Sequence, residues 1–419
     1  MTSAFPTPTS LDAVPAAVET ELRNFFDVAV PAASDIAPVV GTAAELVRDF
    51  VLQGGKRIRP VFAFAGWRCG MSESGRVDSD EASTVGREAR DALRVGAALE
   101  LVQACALIHD DIIDRSDTRR GQPTLHRVFQ SRHAAASWAG DPADHGVAAA
   151  ILAGDLALAW ADDLVHDHRP GVSTSSTSGQ TSSTSGQTSS TSGQTSSTSG
   201  QTSSTGDRSS ATPEYRPLPP AVGATWAAMR TEVLGGQFLD IVNEASGDDS
   251  AAAAYRVMEF KTAAYTVARP LELGARLAGA SEDLVATLRK IGHDLGIAFQ
   301  LRDDQLGVFG DPERTGKPSG DDLVSGKRTA LLATALRRAD DSDPALGSRL
   351  RTFIGRPLDD DELGSARALL VDVGAVAEME GKIDDLLGAA LAALDAADIG
   401  DDIRTELTAV AHRTAHREA

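Results

Sequence analysis

Two short acidic stretches hold the residues best suited to chemistry in this chain. The first, Ala104–Arg120, reads ACALIHDDIIDRSDTRR. On a helix, Asp110 and Asp114 are four residues apart and share a face, Asp111 stands beside them, and Gln103 falls two turns earlier on the same face. Carboxylates crowded in this way repel one another and raise each other's pKa unless a cation sits among them. Oxygen-only donors suit a hard ion such as Mg2+, which keeps several waters and shares phosphate oxygens with a substrate. Arg119 and Arg120 follow directly, as permanently cationic forks fitted to phosphate. Taken alone, the cluster reads either as a metal–phosphate site or as a surface network of ion pairs. His109 neighbours Asp110 but lies on a different face, so it reads as structural.

The second stretch, Phe299–Asp311, reads FQLRDDQLGVFGD and puts Gln300, Asp303 and Asp304 on one helical face. It is followed by Lys317 and Lys327, each next to a glycine, which repeats the combination of carboxylates and cations around phosphate. A third piece, Gly54–Pro60 (GGKRIRP), lacks the GxxxxGK[ST] spacing of a P-loop. Lys56 and Arg59, three residues apart after a glycine pair, still suit a diphosphate.

Together these segments resemble the trans-isoprenyl diphosphate synthases, or polyprenyl synthetases. The matching motifs are GGKRIRP at 54–60, DDIID at 110–114, RRG at 119–121, FKT at 260–262, and LRDDQLGVFGD through TGKPSGDDLVSGK up to Lys327. The resemblance implies an all-α fold, a single large helical bundle around a central cavity, usually as a homodimer. It implies Mg2+-dependent head-to-tail (1'-4) condensation of isopentenyl diphosphate with allylic diphosphates. Carried over by position, Lys56, Arg59, Gln103 and Arg120 would hold isopentenyl diphosphate. Arg119, Lys261, Lys317 and Lys327 would hold the allylic diphosphate. Three Mg2+ ions, with Mn2+ as a substitute, would sit on Asp110, Asp114 and Asp303, supported by Asp111 and Asp304. Lys261, Thr262 and Gln300 would stand at the reacting allylic carbon.

The sequence departs from the family pattern at Gly307, where many relatives carry a third aspartate. Because Asp303 is the residue expected to hold the third ion, activity should survive. Product length is read from Cys105 and Ala106, five and four residues before Asp110. Bulky aromatics there stop growth at fifteen carbons in the family, whereas these side chains are small and let the tail extend toward Leu101, Val102 and Leu156–Trp160. Geranylgeranyl diphosphate is the expected product, with farnesyl or a slightly longer diphosphate as the alternatives. Trp160 reads as either a cavity floor or a core residue. Two neighbouring readings fit less well. A class I terpene cyclase needs no isopentenyl pocket, and a non-catalytic partner subunit would have lost its aspartates or Lys261.

The elements that must position these residues are helical. Apolar residues recur at three- and four-residue spacing in Ala89–Ile113, Val222–Val242, Ala252–Leu277, Glu282–Val308, Thr329–Arg338, Asp361–Val373 and Val376–Leu394. Pro60 and Pro270 should start or kink helices. Aromatic residues are only 5% of the chain, and strand signals are scarce. With 60 Asp+Glu against 40 Lys+Arg, the net charge of −20 argues against nucleic acid as a partner and against a polybasic membrane anchor. The most apolar region, Gly146–Trp160, is broken by Asp155 and is too short to span a bilayer. Cys69 and Cys105 have neither disulfide-framework nor metal spacing, and no signal peptide is apparent. A cytoplasmic protein without a transmembrane segment is expected. It should form one domain over 1–419, with a core of about residues 40–400. The heptapeptide TSSTSGQ recurs in tandem from Thr174 to Gln201 and contains no apolar residue. Residues 170–219 therefore read as a disordered low-complexity insertion.

Overall fold

The computed structural model describes residues 7–76, 82–166, 168, 218–311 and 320–416. The TSSTSGQ repeat and Lys317 lie outside them. The described residues form an all-α bundle with one two-residue hairpin. In chain order come α1 (Val14–Ile36), α2 (Pro38–Leu52), α3 (Ile58–Glu73), α4 (Ala82–Ile113), β1 (Thr118–Arg119) and β2 (Gln122–Pro123). Next are α5 (Leu125–Ala135), α6 (Pro142–Val165), α7 (Pro220–Ser246) and α8 (Ala251–Val257). A π-helical segment (Met258–Ala268), α9 (Arg269–Leu277) and α10 (Glu282–Phe309) follow. The chain closes with α11 (Asp321–Ser325), α12 (Ala330–Ser342), α13 (Pro344–Arg351), α14 (Asp360–Asp372), α15 (Ala375–Ala396) and α16 (Asp401–Ala415).

Local sequence accounts for many of the helix starts. Ser250, Ser281 and Thr329 each accept a backbone N–H of the first turn of the following helix. Asp359 and Glu362 form a reciprocal capping box at the start of α14. Such caps contribute about 1 kcal/mol apiece. Pro270 stands where the π segment passes directly into α9.

The central element is α4. Leu93, Leu99, Leu101 and Ile108 are buried, each worth about 1.5–3 kcal/mol against exposure. Among the described residues its Val85–Ile113 stretch, rather than Gly146–Trp160, is the helix long and apolar enough to cross a membrane by length and composition, and its apolar window is 78% buried inside the bundle. Trp160 packs edge-to-face with Phe25 and Phe26 of α1, at ring-centroid distances of 5.9 Å each. That trio belongs to the core.

One element differs from the reading of Ala252–Leu277 as a single helix. The hydrogen-bond ladder widens to π over Met258–Ala268, the stretch that contains Lys261 and Thr262. Glycines on two neighbouring helices bring the backbones together there. A Cβ on Gly236 of α7 would lie 2.3 Å from the Lys261 nitrogen. On Gly296 of α10 it would lie 2.6 Å from Ala263 Cα. Any larger residue at these positions pushes the π segment away. Single-turn π-bulges inside α-helices are frequent at functional sites.

Candidate active site

The last turn of α4 presents Asp110 and Asp111, and the Asp114 N–H still bonds the Asp110 carbonyl at 2.8 Å. The three carboxylates therefore keep helical spacing although the helix proper ends at Ile113. The chain then reverses through the β1–β2 hairpin, with Arg119 opposite Gln122. This turn returns Arg119 to the acidic face. Its Nε donates to Asp111 Oδ1 at 2.7 Å, and Nη2 lies 3.6 Å from Asp110 Oδ2. Arg120, at φ +52°, points elsewhere, and its Nη1 donates to the Gly54 carbonyl. Two consecutive arginines thus serve two different places.

Cations from distant segments complete the face. Lys261 Nζ sits between Asp240 Oδ2 at 2.6 Å and Asp110 Oδ1 at 3.4 Å. Lys327 Nζ lies 3.1 Å from Asp114 Oδ2. Gln237 on α7 donates to Asp110 Oδ1 at 3.3 Å. Burial works against the Asp110 anion, but Lys261, Lys327 and Arg119 together hold its carboxyl below the usual range. Burial pushes Asp111 up, and Arg119 only partly offsets it. Burial opposes the charge on Lys261, yet Asp110 and Asp240 raise its pKa above the usual lysine value.

The donor set fits a hard divalent cation. It is made of carboxylate oxygens, and the buried Asp111 Oδ2 has no hydrogen-bond partner. Among the described residues no three carboxylates, imidazoles or thiols stand close enough to hold a metal by themselves. An ion on this face must therefore take its remaining ligands from water and from a bound phosphate, as Mg2+ commonly does.

The second acidic segment is built differently. Asp304 is buried, accepting from Gln300 Nε2 at 2.8 Å and from the Ala330 N–H at 3.0 Å. Its Oδ2 thus joins Thr329 in capping the start of α12. Burial, reinforced by Asp322 and Asp303, pushes its pKa up to about 8 against the pull of Gln300. Asp303, its neighbour, is half-buried.

The Gly54–Pro60 segment lies beside Arg120, whose Nη2 is 3.5 Å from where a Gly55 Cβ would be. Lys56 is exposed on this loop. Arg59 instead reaches inward: Nη2 donates to Thr266 Oγ1 at 3.0 Å, and the guanidinium lies 4.1 Å from the Tyr265 ring centroid. Arg57, between them, holds the loop in shape. It begins α3 at φ +48° and bonds Glu100 at 2.6 Å and the Val51 carbonyl at 2.7 Å, all buried. Gln103 and Thr262 are half-buried. Cys105 is buried with Sγ 3.7 Å from His109 Nδ1, so it shares the face of His109, while Ala106 shares the face of Asp110. Sequence reasoning passed over Gln237 and Asp240. Their signal is present in GGQFLD, where a glycine that permits close approach precedes two polar residues three apart on one helical face.

A family model described as Polyprenyl synthetase matches residues 41–204 and 211–366. The chain belongs to the polyprenyl synthetase family. It is accordingly a prenyltransferase of the trans-isoprenyl diphosphate synthase kind, in a family that uses divalent metal and prenyl diphosphate substrates. It is 28% identical over 377 residues to the geranylgeranyl diphosphate synthase of Mycobacterium tuberculosis, covering 87% of each chain. It is 29% identical over 324 residues to the geranylfarnesyl diphosphate synthase of Aeropyrum pernix, covering 77% of each. A crystal structure of a Corynebacterium glutamicum geranylgeranyl pyrophosphate synthase, complexed with isoprenyl diphosphate and magnesium, superposes with a TM-score of 0.79 at 40% identity. That match covers 98% of this chain and 100% of the other.

Proposed function

We propose that this polyprenyl synthetase joins isopentenyl diphosphate to allylic diphosphates in the 1'-4 sense, with all-trans geranylgeranyl diphosphate as its main product and diphosphate released. The observation that carries this reading is the acidic face at Asp110, Asp111 and Asp114, countered by Lys261, Arg119 and Lys327 from three separate segments. Such an array binds a polyanion whose charge grows as it departs. Lys261, Lys327, Arg119 and Lys317 hold the allylic diphosphate. Lys56, Arg59, Gln103 and Arg120 hold isopentenyl diphosphate beside it, so that the double bond meets the allylic carbon. Thr262 and Gln300 present oxygen dipoles to that carbon as it becomes positive. The proton then lost goes to the released diphosphate. Asp110, Asp114 and Asp303 hold Mg2+, three ions in all, with Asp111 and Asp304 behind them. When bound, these ions neutralise the leaving diphosphate.

Ala106, on the face of Asp110, supports a long product because its side chain is only a methyl group one turn deeper along α4. Exposed apolar residues on α6 and α7 support a homodimer: Leu152 is 68% and Phe238 67% exposed. Those two helices are tied together where Trp226 Nε1 donates to Asp162 at 2.6 Å. We read the chain as one cytoplasmic synthase domain.

The test is to incubate the purified full chain with isopentenyl diphosphate and each allylic starter, with and without Mg2+, and to size the dephosphorylated products. Mg2+-dependent elongation with a twenty-carbon alcohol as the longest abundant product is expected. Elongation that stops at fifteen carbons would refute the product assignment. No elongation with any starter, from folded protein, would refute the synthase reading.

A further inference from the structure

Thr124 immediately precedes α5, the position from which a threonine hydroxyl ordinarily accepts one of a helix's unpaired N–H groups. Here it accepts none of them. The hydroxyl turns back along the chain instead, and Oγ1 donates to the Ser116 carbonyl at 2.8 Å. The Thr124 N–H donates to the Asp117 carbonyl at 3.0 Å, and the Ser116 N–H bonds the Asp111 carbonyl at 2.9 Å. One residue, only 1% exposed, thus closes the loop that leaves the acidic face at Asp111 and returns to it with Arg119.

His126 secures the hydroxyl. Its Nδ1 lies 3.2 Å from Thr124 Oγ1, and both side chains are buried. The one hydroxyl proton is directed at a carbonyl, which can only accept, so Nδ1 carries a proton and donates it to Oγ1. Arg127, next along the first turn of α5, adds a second tie to the loop by bonding Asp117 Oδ1 at 2.7 Å.

We propose that Thr124, steadied by His126, is a positioning residue for Arg119: its hydroxyl forgoes the helix cap to close the Asp111–Thr124 loop, and that closure sets the Arg119 guanidinium against Asp111 and Asp110. Arg120 has an anchor of its own on the Gly54 carbonyl. Loss of the closure therefore bears on the site served by Arg119 more than on the one served by Arg120. This inference rests on the proposed function, since that reading gives Arg119 the allylic diphosphate and Arg120 isopentenyl diphosphate.

Steady-state elongation by the full chain tests it, with each substrate varied in turn and a melting curve for every form. The forms are the wild type, Thr124→Ser, Thr124→Val, His126→Phe, Arg119→Lys and Thr124→Val/Arg119→Lys. A misplacement of about 1 Å costs on the order of 10²-fold when it is complete, and a loosened loop should cost part of that. Thr124→Val keeps the shape without the hydroxyl. It should raise the KM for the allylic diphosphate by about tenfold and leave that for isopentenyl diphosphate within about twofold. Thr124→Ser, which keeps the donor, should restore the allylic KM to within about twofold of the wild type. Groups in one network couple by roughly 2–150-fold, so adding Thr124→Val to Arg119→Lys should cost less than about threefold more. Equal rises in both KM values, a Thr124→Ser variant as impaired as Thr124→Val, or an undiminished effect in the Arg119→Lys background overturns the assignment. So does a lower melting temperature with both KM values unchanged, which would make Thr124 a purely structural residue. If Thr124→Val fails to fold, His126→Phe decides: a raised allylic KM beside a steady isopentenyl KM supports the assignment, and an unchanged allylic KM overturns it. No elongation by the folded wild type would instead overturn the proposed function beneath it.

Discussion

Asp110, Asp111 and Asp114 meet cations drawn from distant parts of the chain, whereas Asp304 gives its oxygens to a glutamine one turn back and to the first N–H of α12. Both segments show paired aspartates at helical spacing in the sequence, yet the fold uses them in opposite ways. The first is an open anionic face whose counter-charges a ligand can exchange. In the second, one aspartate of the pair is absorbed into the scaffold, and the neighbouring Asp322 fills the space at Gly307. The spacing of carboxylates along a helix fixes which face they share. What stands opposite that face, donor groups or solvent, decides whether they bind an ion or hold a helix in place.

The largest effect should come from the open face. Asp110 is approached by Lys261, Arg119 and Gln237. Asp110→Asn keeps the shape and removes the charge that organises them, so kcat should fall on the order of 10²–10³-fold. Thermal unfolding without metal should shift modestly downward, because in the fold those cations hold Asp110 in its charged form. The measurement is steady-state turnover across a Mg2+ series beside a melting curve. A variant that keeps turnover within about tenfold of the wild type, a loss of only about 1.4 kcal/mol, would mean that this face is a salt-bridge network after all.

The second segment should answer in stability. Asp304→Ala strands the Gln300 amide and the Ala330 N–H, and a buried unsatisfied donor costs about 1–3 kcal/mol. Asp303→Ala, half-buried and on the side assigned to metal, should change stability by about 0.5 kcal/mol or less while weakening Mg2+-diphosphate binding. Denaturant unfolding in the absence of metal separates the two. Equal stability losses in both variants would erase the contrast between a scaffold aspartate and a ligand aspartate.

How much of this was legible in the sequence depends on distance along the chain. The helical bundle followed from three- and four-residue apolar spacing, and the acidic faces from aspartates close enough to be placed by helix geometry alone. The family resemblance supplied lysines far from those aspartates, and the structure brings Lys261 and Lys327 to the first acidic face. Contacts with no local signature stayed hidden. Asp240 reaches Lys261 only because Gly236 lets α7 close on the π segment, and that segment itself depends on packing rather than propensity. The outward role of Arg120 and the inward one of Arg59 were equally hidden, since each is set by a turn with positive φ or by a partner on another helix. Arg57 shows the converse case. It lies within the basic motif, yet its charge is buried on Glu100 to shape the loop.

The smallest effect should fall on His109, which tests how narrow the open face is. The ring stands next to Asp110 in sequence, and a base there would be convenient for removing the final proton. Its Nε2 lies 3.1 Å from the Ile151 carbonyl, which can only accept, so Nε2 carries the proton. Nδ1 faces the Cys105 sulfur at 3.7 Å. Nε2 is thus engaged on α6 and Nδ1 one turn back on α4, with the ring in a gap that exists because residue 154 is glycine: a Cβ there would lie 2.2 Å from Nε2. His109→Phe should cost about 1 kcal/mol of stability from the lost hydrogen bond. It should leave kcat within about threefold, whereas a working general base contributes roughly 10²–10⁴-fold. A fall of that larger size in a stably folded variant would bring His109 into the chemistry and widen the open face by one residue. A small fall with a lower melting temperature would mark the boundary between chemistry and scaffold at the single step from residue 109 to residue 110.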